Sequence, residues 1–194
     1  GVIDKAGKNI PEYEVVTPPH VKPFTEILRK EGYYCANNFK CDYQFNTPFT
    51  AWDEVSSTVS FRDRPKDTPF FYVWNTLLTH ESRIWERSNE PLTIRPEDVI
   101  IPSYFPDIPE VRNDIARKYS NIEAMDKKVG ELINQLESDG LLENTVIMFW
   151  SDHGGNLLRQ KRAVGNSGLN VPLIIKYPDK KNAGKVDDRI VSLM

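Results

Sequence analysis

Two short stretches hold the residues best suited to chemistry. In Ser151-Asp152-His153-Gly154-Gly155 a carboxylate and an imidazole sit side by side ahead of two glycines. Adjacent Asp and His side chains can meet one cation where a strand has just ended and the backbone turns. The glycines permit the turn and the close approach of a ligand. A few residues later Arg159, Lys161 and Arg162 form a cationic cluster. Such a cluster can grip a tetrahedral oxyanion through charge-assisted hydrogen bonds. Each stretch also has a plainer reading, as a capped turn with a solvated histidine and as an ordinary basic loop. His80, in Thr79-His80-Glu81-Ser82, is a candidate donor to developing charge. Lys40 stands in a polar loop with Asn37, Asn38 and Asp42.

These residues need elements to carry them. Phe70-Phe71-Tyr72-Val73-Trp74 is a nearly continuous aromatic and β-branched run, as expected of a strand buried on both faces of a parallel sheet. It would release His80 beyond its carboxyl end. Thr145-Val146-Ile147-Met148-Phe149-Trp150 reads as a second buried strand, ending at Asp152 and His153, and Val171 to Tyr177 as a third. Sites in open α/β sheets form just beyond strand carboxyl ends, which is where these polar clusters fall. Tyr33 to Asn37 reads as a shorter strand leading to Lys40, after a helix from Pro23 to Lys30 that Gly32 ends. From Pro109 to Gly140, Ile115, Tyr119, Ile122, Val129, Ile133 and Leu136 follow at helical spacing. That predicts a helix of about 29 residues, roughly 43 Å long. Residues 1–20, 46–68 and 94–109 are irregular, with prolines and little period. Strands alternating with helices imply an α/β domain with a mainly parallel sheet.

Composition removes several classes of function. The 194 residues are 39% hydrophobic and 27% charged, and 25 basic against 28 acidic residues leave a net charge of -3. That balance gives no electrostatic case for nucleic acid as a partner. The mean hydropathy is -0.51, and no apolar run approaches membrane-spanning length. Three histidines and two cysteines, Cys35 and Cys41, make no multi-histidine zinc cage and no disulfide framework, although a bridge between the two cysteines stays open. There is no Gly-x-Ser-x-Gly turn, no Cys/His pair at a helix start and no P-loop, so the attacking group of any enzyme reaction is expected outside these residues.

Taken in order, the motifs resemble the sulfatase family of the alkaline-phosphatase-like superfamily. Phe70-Phe71 leading to Thr79-His80-Glu81-Ser82 is similar to that family's PFF…H element. Residues 141–153, ending Phe149-Trp150-Ser151-Asp152-His153, resemble its element closing on S-D-[NH]-G. Arg159-Gln160-Lys161-Arg162, with Ser167 to Ile175, resembles its catalytic-lysine segment and the next strand, and Asn37 to Tyr43 occupies the place of its G-K-x-H-x-G segment. The heparan N-sulfatase-like branch is the nearest in pattern.

The resemblance implies an alkaline-phosphatase-like α/β sandwich, incomplete in this chain, with residues 1–194 as the central part of a catalytic domain. It implies a hydrolase of sulfuric esters or sulfamates whose partner is a sulfated carbohydrate. Asp152 and His153 would be metal ligands, with Ca2+ the usual ion. Lys161 and Lys40 would contact sulfate, and His80 would lie at the leaving-group oxygen. Arg159, Arg162 and Asp42 would contact substrate. The nucleophile would be formylglycine, made from a Cys or Ser in a C/S-x-P-S-R segment that these residues lack. The expected compartment is periplasmic, secreted or lysosome-like. Three residues depart from the pattern: Asp42 stands where a histidine is usual, Asn170 where an arginine is common, and Asn166 in place of an acidic residue. Two other classes remain: a phosphoester or phosphonate hydrolase on the same fold, and a non-catalytic binder of sulfated glycans.

Overall fold

The computed structural model describes residues 2–3, 7, 9–10 and 14–192. The chain divides into two compact units, Gly1–Asn75 and Thr76–Met194.

In the first unit, β1 (Val2–Ile3) pairs antiparallel with β2 (Asn9–Ile10), a short ladder in a stretch whose sequence reads as irregular. Helix α1 (Phe24–Lys30) begins after Pro23 and carries Glu26 in its first turn and Arg29 and Lys30 in its last, the arrangement that suits the helix dipole. Gly32 then takes φ 87°, a left-handed conformation that ends the helix at no Cβ penalty. Strand β3 (Tyr34–Asn37) lies between β4 (Glu54–Val55) and β5 (Phe70–Val73) in a parallel three-stranded sheet. Cys35, Ala36 and Asn37 of the central strand are fully buried. The flanking β5 is only half-buried, so the expectation of burial on both faces holds for the middle of this sheet and not for its edge.

An aromatic column supports the loop after β3. Phe24 meets Phe71 edge-on at 5.0 Å, Phe71 stacks on Trp52 at 6.1 Å, and Trp52 on Tyr43 at 6.4 Å. Such pairs add to plain area burial. Asn37 Nδ2 donates to the Tyr43 hydroxyl at 3.0 Å and to the Lys40 carbonyl at 2.9 Å. Burial pushes the Tyr43 phenol well above its ordinary pKa. Cys35 and Cys41 are both free thiols, so no bridge forms. Burial also raises the Cys35 thiol, to about 11, which keeps it protonated and unreactive.

The second unit is organised by α3 (Pro109–Ser138), 30 residues long as the apolar spacing predicts, with the four-residue α2 (Arg83–Glu86) before it. Ile115 and Ala116 bury with Val99, and Leu92, Ile94, Ile101, Val111 and Leu157 pack around them. The period is only partly right about which side chains go inside. Tyr119 and Ile122 are exposed, whereas Arg117, Ser120 and Asn121 are buried. Unpaired backbone in the irregular segment before α3 explains the difference, since buried N–H and C=O groups must find partners. Arg117 donates to the carbonyls of Ser88, Glu90 and Pro91. Ser120 Oγ accepts from the amides of Thr93 and Ile94 at 3.1 and 3.2 Å, and Asn121 Nδ2 donates to the Arg83 carbonyl at 3.3 Å. Polar side chains of the helix thus hold the segment that follows His80.

Strand β6 (Ile147–Trp150) pairs with β7 (Leu173–Lys176), and the short helix α4 (Asn166–Leu169) lies between them in sequence. This ladder is antiparallel, unlike the sheet of the first unit. Neither strand is buried as the sequence suggests, for Met148, Trp150 and Leu173 to Ile175 are all exposed. Two strands alone have open faces, and in β6 only Ile147 and Phe149, on one side, are half-buried.

Candidate functional site

Six of the eight candidate residues fall in the second unit. They sit on two loops: residues 79–82 after β5, and 151–162 after β6. Asp152 and His153 stand first. His153 Nε2 lies 3.8 Å from Asp152 Oδ1, with the histidine side chain 36% and the aspartate 57% exposed. His153 Nδ1 contacts the Gly154 carbonyl oxygen at 2.6 Å. A carbonyl only accepts, so Nδ1 carries a proton and Nε2 is the ring nitrogen left for coordination. That tautomer suits a metal ligand.

The glycines after His153 serve a different purpose from the one their type suggests. Neither has a positive φ. A Cβ at Gly154 would overlap the Ser167 carbonyl, and one at Gly155 would overlap the side-chain amide of Gln160. What approaches closely here is the chain itself, folded back as residues 160–168. Gly154 N–H donates to the Gly168 carbonyl at 2.9 Å, and Lys161 N–H to the Gly155 carbonyl at 2.9 Å. Gln160 Oε1 accepts from Lys118 Nζ of α3 at 3.1 Å and from the Leu157 amide at 3.3 Å. Burial lowers the Lys118 pKa, and Gln160 gives its ammonium a neutral partner.

The cationic cluster separates into two parts. Arg159 and Arg162 both take left-handed backbone conformations, φ 62° and 67°, which are uncommon for residues with a Cβ. Arg159 lies over the Tyr104 ring, 5.7 Å from its centre. Lys161 and Arg162 instead converge on one carboxylate. Lys161 Nζ is 3.1 Å from Glu81 Oε1, and Arg162 Nη2 and Nη1 are 3.1 and 3.4 Å from Oε1 and Oε2. The lysine end of this triad is sheltered, with Lys161 20% and Glu81 23% exposed, while Arg162 at 73% closes it from outside. The hydrogen bond from Lys161, helped by that from Arg162, holds the Glu81 carboxyl below its ordinary pKa against the opposing effect of burial.

His80 adjoins this triad in the chain. The Ser82 amide donates to His80 Nδ1 at 3.3 Å, and Ser82 Oγ lies 3.1 Å from the same atom. An imidazole nitrogen that accepts from an amide has no proton, so the proton is on Nε2. His80 therefore offers a donor where His153 offers a lone pair. Asn156 Nδ2 donates to the Thr79 carbonyl at 3.1 Å, one residue from His80, and its own Oδ1 is buried with no partner among the described residues.

Lys40 and Asp42 belong to the first unit and pair with each other, Nζ to Oδ2 at 3.9 Å, with Lys40 31% and Asp42 70% exposed. The arrangement of the second unit thus joins Lys161 and Arg162 at Glu81 and joins Asp152 to His153. Glu81, Asn156 and Gln160 are neighbours of these residues that the motif reading passes over. Only the position of Glu81 next to His80 hinted at its part.

A metal needs more than the pair supplies. No group of three or more His, Cys, Asp or Glu side chains able to hold a metal ion occurs among the described residues. Calcium takes six to eight oxygen ligands, so the Asp152 carboxylate fits one edge of such a shell, while the His153 nitrogen is a less typical ligand for that ion. No helix among the described residues is long and apolar enough to cross a membrane.

Comparison with known proteins places these features in context. The family model described as Sulfatase matches residues 29–194. An ulvan-active sulfatase of Formosa agariphila is 40% identical across 96% of this chain. The N-sulphoglucosamine sulphohydrolase of Homo sapiens is 31% identical across 54% of it, and an N-acetylglucosamine-6-O-sulfatase of Bacteroides thetaiotaomicron 38% identical across 34%. The chain spans 37%, 21% and 13% of the lengths of these three relatives.

Proposed function

The chain belongs to the sulfatase family, and on that premise we propose that the whole protein hydrolyses sulfate esters or sulfamates of carbohydrates. The observation that carries this reading is the pairing of the two strand-end loops. A sheltered ammonium, Lys161, and an imidazole presenting Nε2–H, His80, are borne on loops joined through Glu81. The names of the relatives support a sulfated carbohydrate as substrate, of the ulvan or amino-sugar type.

In this mechanism Lys161 holds the sulfuryl oxygens as charge builds on them. Preorganised cations in a sheltered site favour the transition state because they need no reorganisation when charge develops. His80 Nε2–H donates a hydrogen bond to the bridging atom as the bond from sulfur breaks. With Nδ1 accepting from the Ser82 amide, the ring is neutral, so it acts as a hydrogen-bond donor rather than as a full acid. Arg159 is assigned a contact to the sugar, and Arg162 closes the lysine side. Asp152 and His153 would hold a divalent ion, Ca2+ by family habit, which supplies charge neutralisation when bound. The nucleophile, a formylglycine by the same habit, is not supplied by the residues described. A periplasmic, secreted or lysosomal setting suits such a substrate.

The test is sulfate release, followed by ion chromatography, from ulvan oligosaccharides and from N- and 6-O-sulfated glucosamine, with a phosphate monoester alongside. Release of sulfate from any of the sugars, without phosphate release, supports the reading. Phosphate release alone would move it to the phosphoester alternative. Tight binding of a sulfated sugar without turnover would move it to the binding-protein alternative.

A further inference from the structure

The linkage between the two loops points to a residue that the proposed chemistry does not itself use. Resting on the sulfatase reading, we propose that Glu81 is a positioning residue, which holds Lys161 in place and ties the lysine loop to the loop carrying His80.

Four observations converge on it. Glu81 directly follows His80, so anything fixed to its carboxylate is fixed relative to the imidazole. Lys161 has a flexible four-carbon stem and a point charge, and an ammonium of that kind is aimed only if a partner holds it. Its Nζ sits 3.1 Å from Glu81 Oε1, and both groups are largely sheltered. Lys161 and Arg162 are consecutive residues of a turn, and both reach the same carboxylate. The left-handed backbone at Arg162 (φ 67°) accompanies that convergence. Finally, Asn156 Nδ2 bonds the Thr79 carbonyl on the other side of His80. The imidazole is therefore flanked by two ties to one loop.

The charge arithmetic agrees. Two cations share one carboxylate, so the triad keeps a net positive charge and Lys161 keeps donors to spare for a sulfuryl group. Glu81 neutralises part of the cluster without occupying it. A carboxylate that contacted substrate directly would repel the sulfate that Lys161 attracts.

The experiment uses the whole protein with Glu81→Ala, Glu81→Gln and Arg162→Ala, and the double variant of Glu81→Ala with Arg162→Ala. Steady-state kinetics are measured on whichever sulfated sugar the wild type hydrolyses. NMR of the Lys161 ε-methylene is measured in parallel, with circular dichroism to confirm folding. In Glu81→Ala, kcat falls about 10- to 100-fold with KM within about threefold. Glu81→Gln, which keeps an oxygen for Lys161, recovers part of that loss. The Arg162→Ala penalty largely disappears in the Glu81→Ala background, because the two act through one carboxylate. The two ε-protons of Lys161 are inequivalent in the wild type and merge in Glu81→Ala.

An unchanged kcat, a change in KM alone, or fully additive penalties would overturn the proposal. So would a Lys161 methylene already averaged in the wild type. If the wild type releases sulfate from no sugar, the sulfatase reading fails on its own, and the NMR arm still decides the role of Glu81.

Discussion

The two clusters after β6 are built to opposite plans. Lys161 and Arg162 are tied to Glu81, the loop carrying them is folded against Lys118 and Gln160, and His80 alongside is fixed by Ser82. Asp152 and His153 have each other at 3.8 Å, are more open to solvent, and gain no third acidic, His or Cys ligand from the described residues. The first cluster is tied together by charged side-chain contacts, whereas in the second the Gly154 carbonyl sets the His153 ring and a metal shell is left to be completed. Even the histidines follow this division, since one presents a proton from Nε2 and the other a lone pair. A family motif lists all these residues as equals, but their surroundings show that they depend on different things.

The sharpest way to break the comparison is to remove Lys161. If the self-held cluster supplies the cation that meets the transition state, Lys161→Ala in the whole protein lowers kcat about 100- to 1,000-fold, as loss of one preorganised charge-stabilising donor does. Arg162→Ala, with most of its surface in water, costs less than about tenfold. Equal losses from the two substitutions would mean that the sheltered and exposed cations are interchangeable, and the division between them would fail.

The open cluster makes a complementary prediction. Asp152→Asn should weaken Ca2+ binding by the whole protein about 10- to 100-fold, measured by isothermal titration. The 194-residue chain, with two ligands of the pair, should bind Ca2+ much more weakly than the whole protein. Comparable affinity in both would show that Asp152 and His153 find their remaining ligands within this chain.

How much of this was legible beforehand follows from the kind of force involved. Strong local patterns read correctly: the run at Phe70 to Val73 is a strand, Pro109 begins a 30-residue helix, and β6 ends just before Asp152. Motif order singles out Lys161, His80, Asp152 and His153 because those residue types recur together. What stayed hidden depends on long-range partners. Nothing near Arg117, Ser120 or Asn121 says that they will be buried, because the carbonyls and amides they satisfy lie about 30 residues away in sequence. Period alone therefore favoured Tyr119 and Ile122, which are exposed. Glu81 was passed over for the same reason, since its cations lie 80 and 81 residues further along. The glycines after His153 were read as room for a ligand, yet the room is filled by residues 160–168.

The tautomers offer a finer test, one that needs no turnover. Long-range 15N correlation spectra at neutral pH should show Nδ1 unprotonated in His80 and protonated in His153, each fixed by its backbone partner. Replacing Ser82 with Ala keeps the amide donor and removes only the hydroxyl contact. His80 should retain its tautomer in that variant, with at most a few-fold loss of kcat. A switch of tautomer on losing the hydroxyl would show that Ser82 Oγ, not the amide, sets the ring. The contrast between a donor histidine and a ligand histidine would then rest on one side chain.

The smallest expected effect concerns stability and pH. Glu81 has its pKa lowered in the folded chain, first by the Lys161 hydrogen bond and then by Arg162. A carboxylate of lowered pKa contributes stability that is fully present above its unfolded value, near 4.3, and is lost as pH falls through the folded value. Glu81→Gln removes that contribution, so the variant should melt below wild type at neutral pH by a degree or so, and the gap should close once the medium is acid enough to protonate Glu81 in the folded chain. The gap should also shrink in high salt, but only in part, because the Lys161 side of the triad is sheltered and ions screen a sheltered pair poorly. A gap that vanished in salt at neutral pH would make the triad an ordinary surface ion pair. Lys161 would then be no better held than Asp152 and His153.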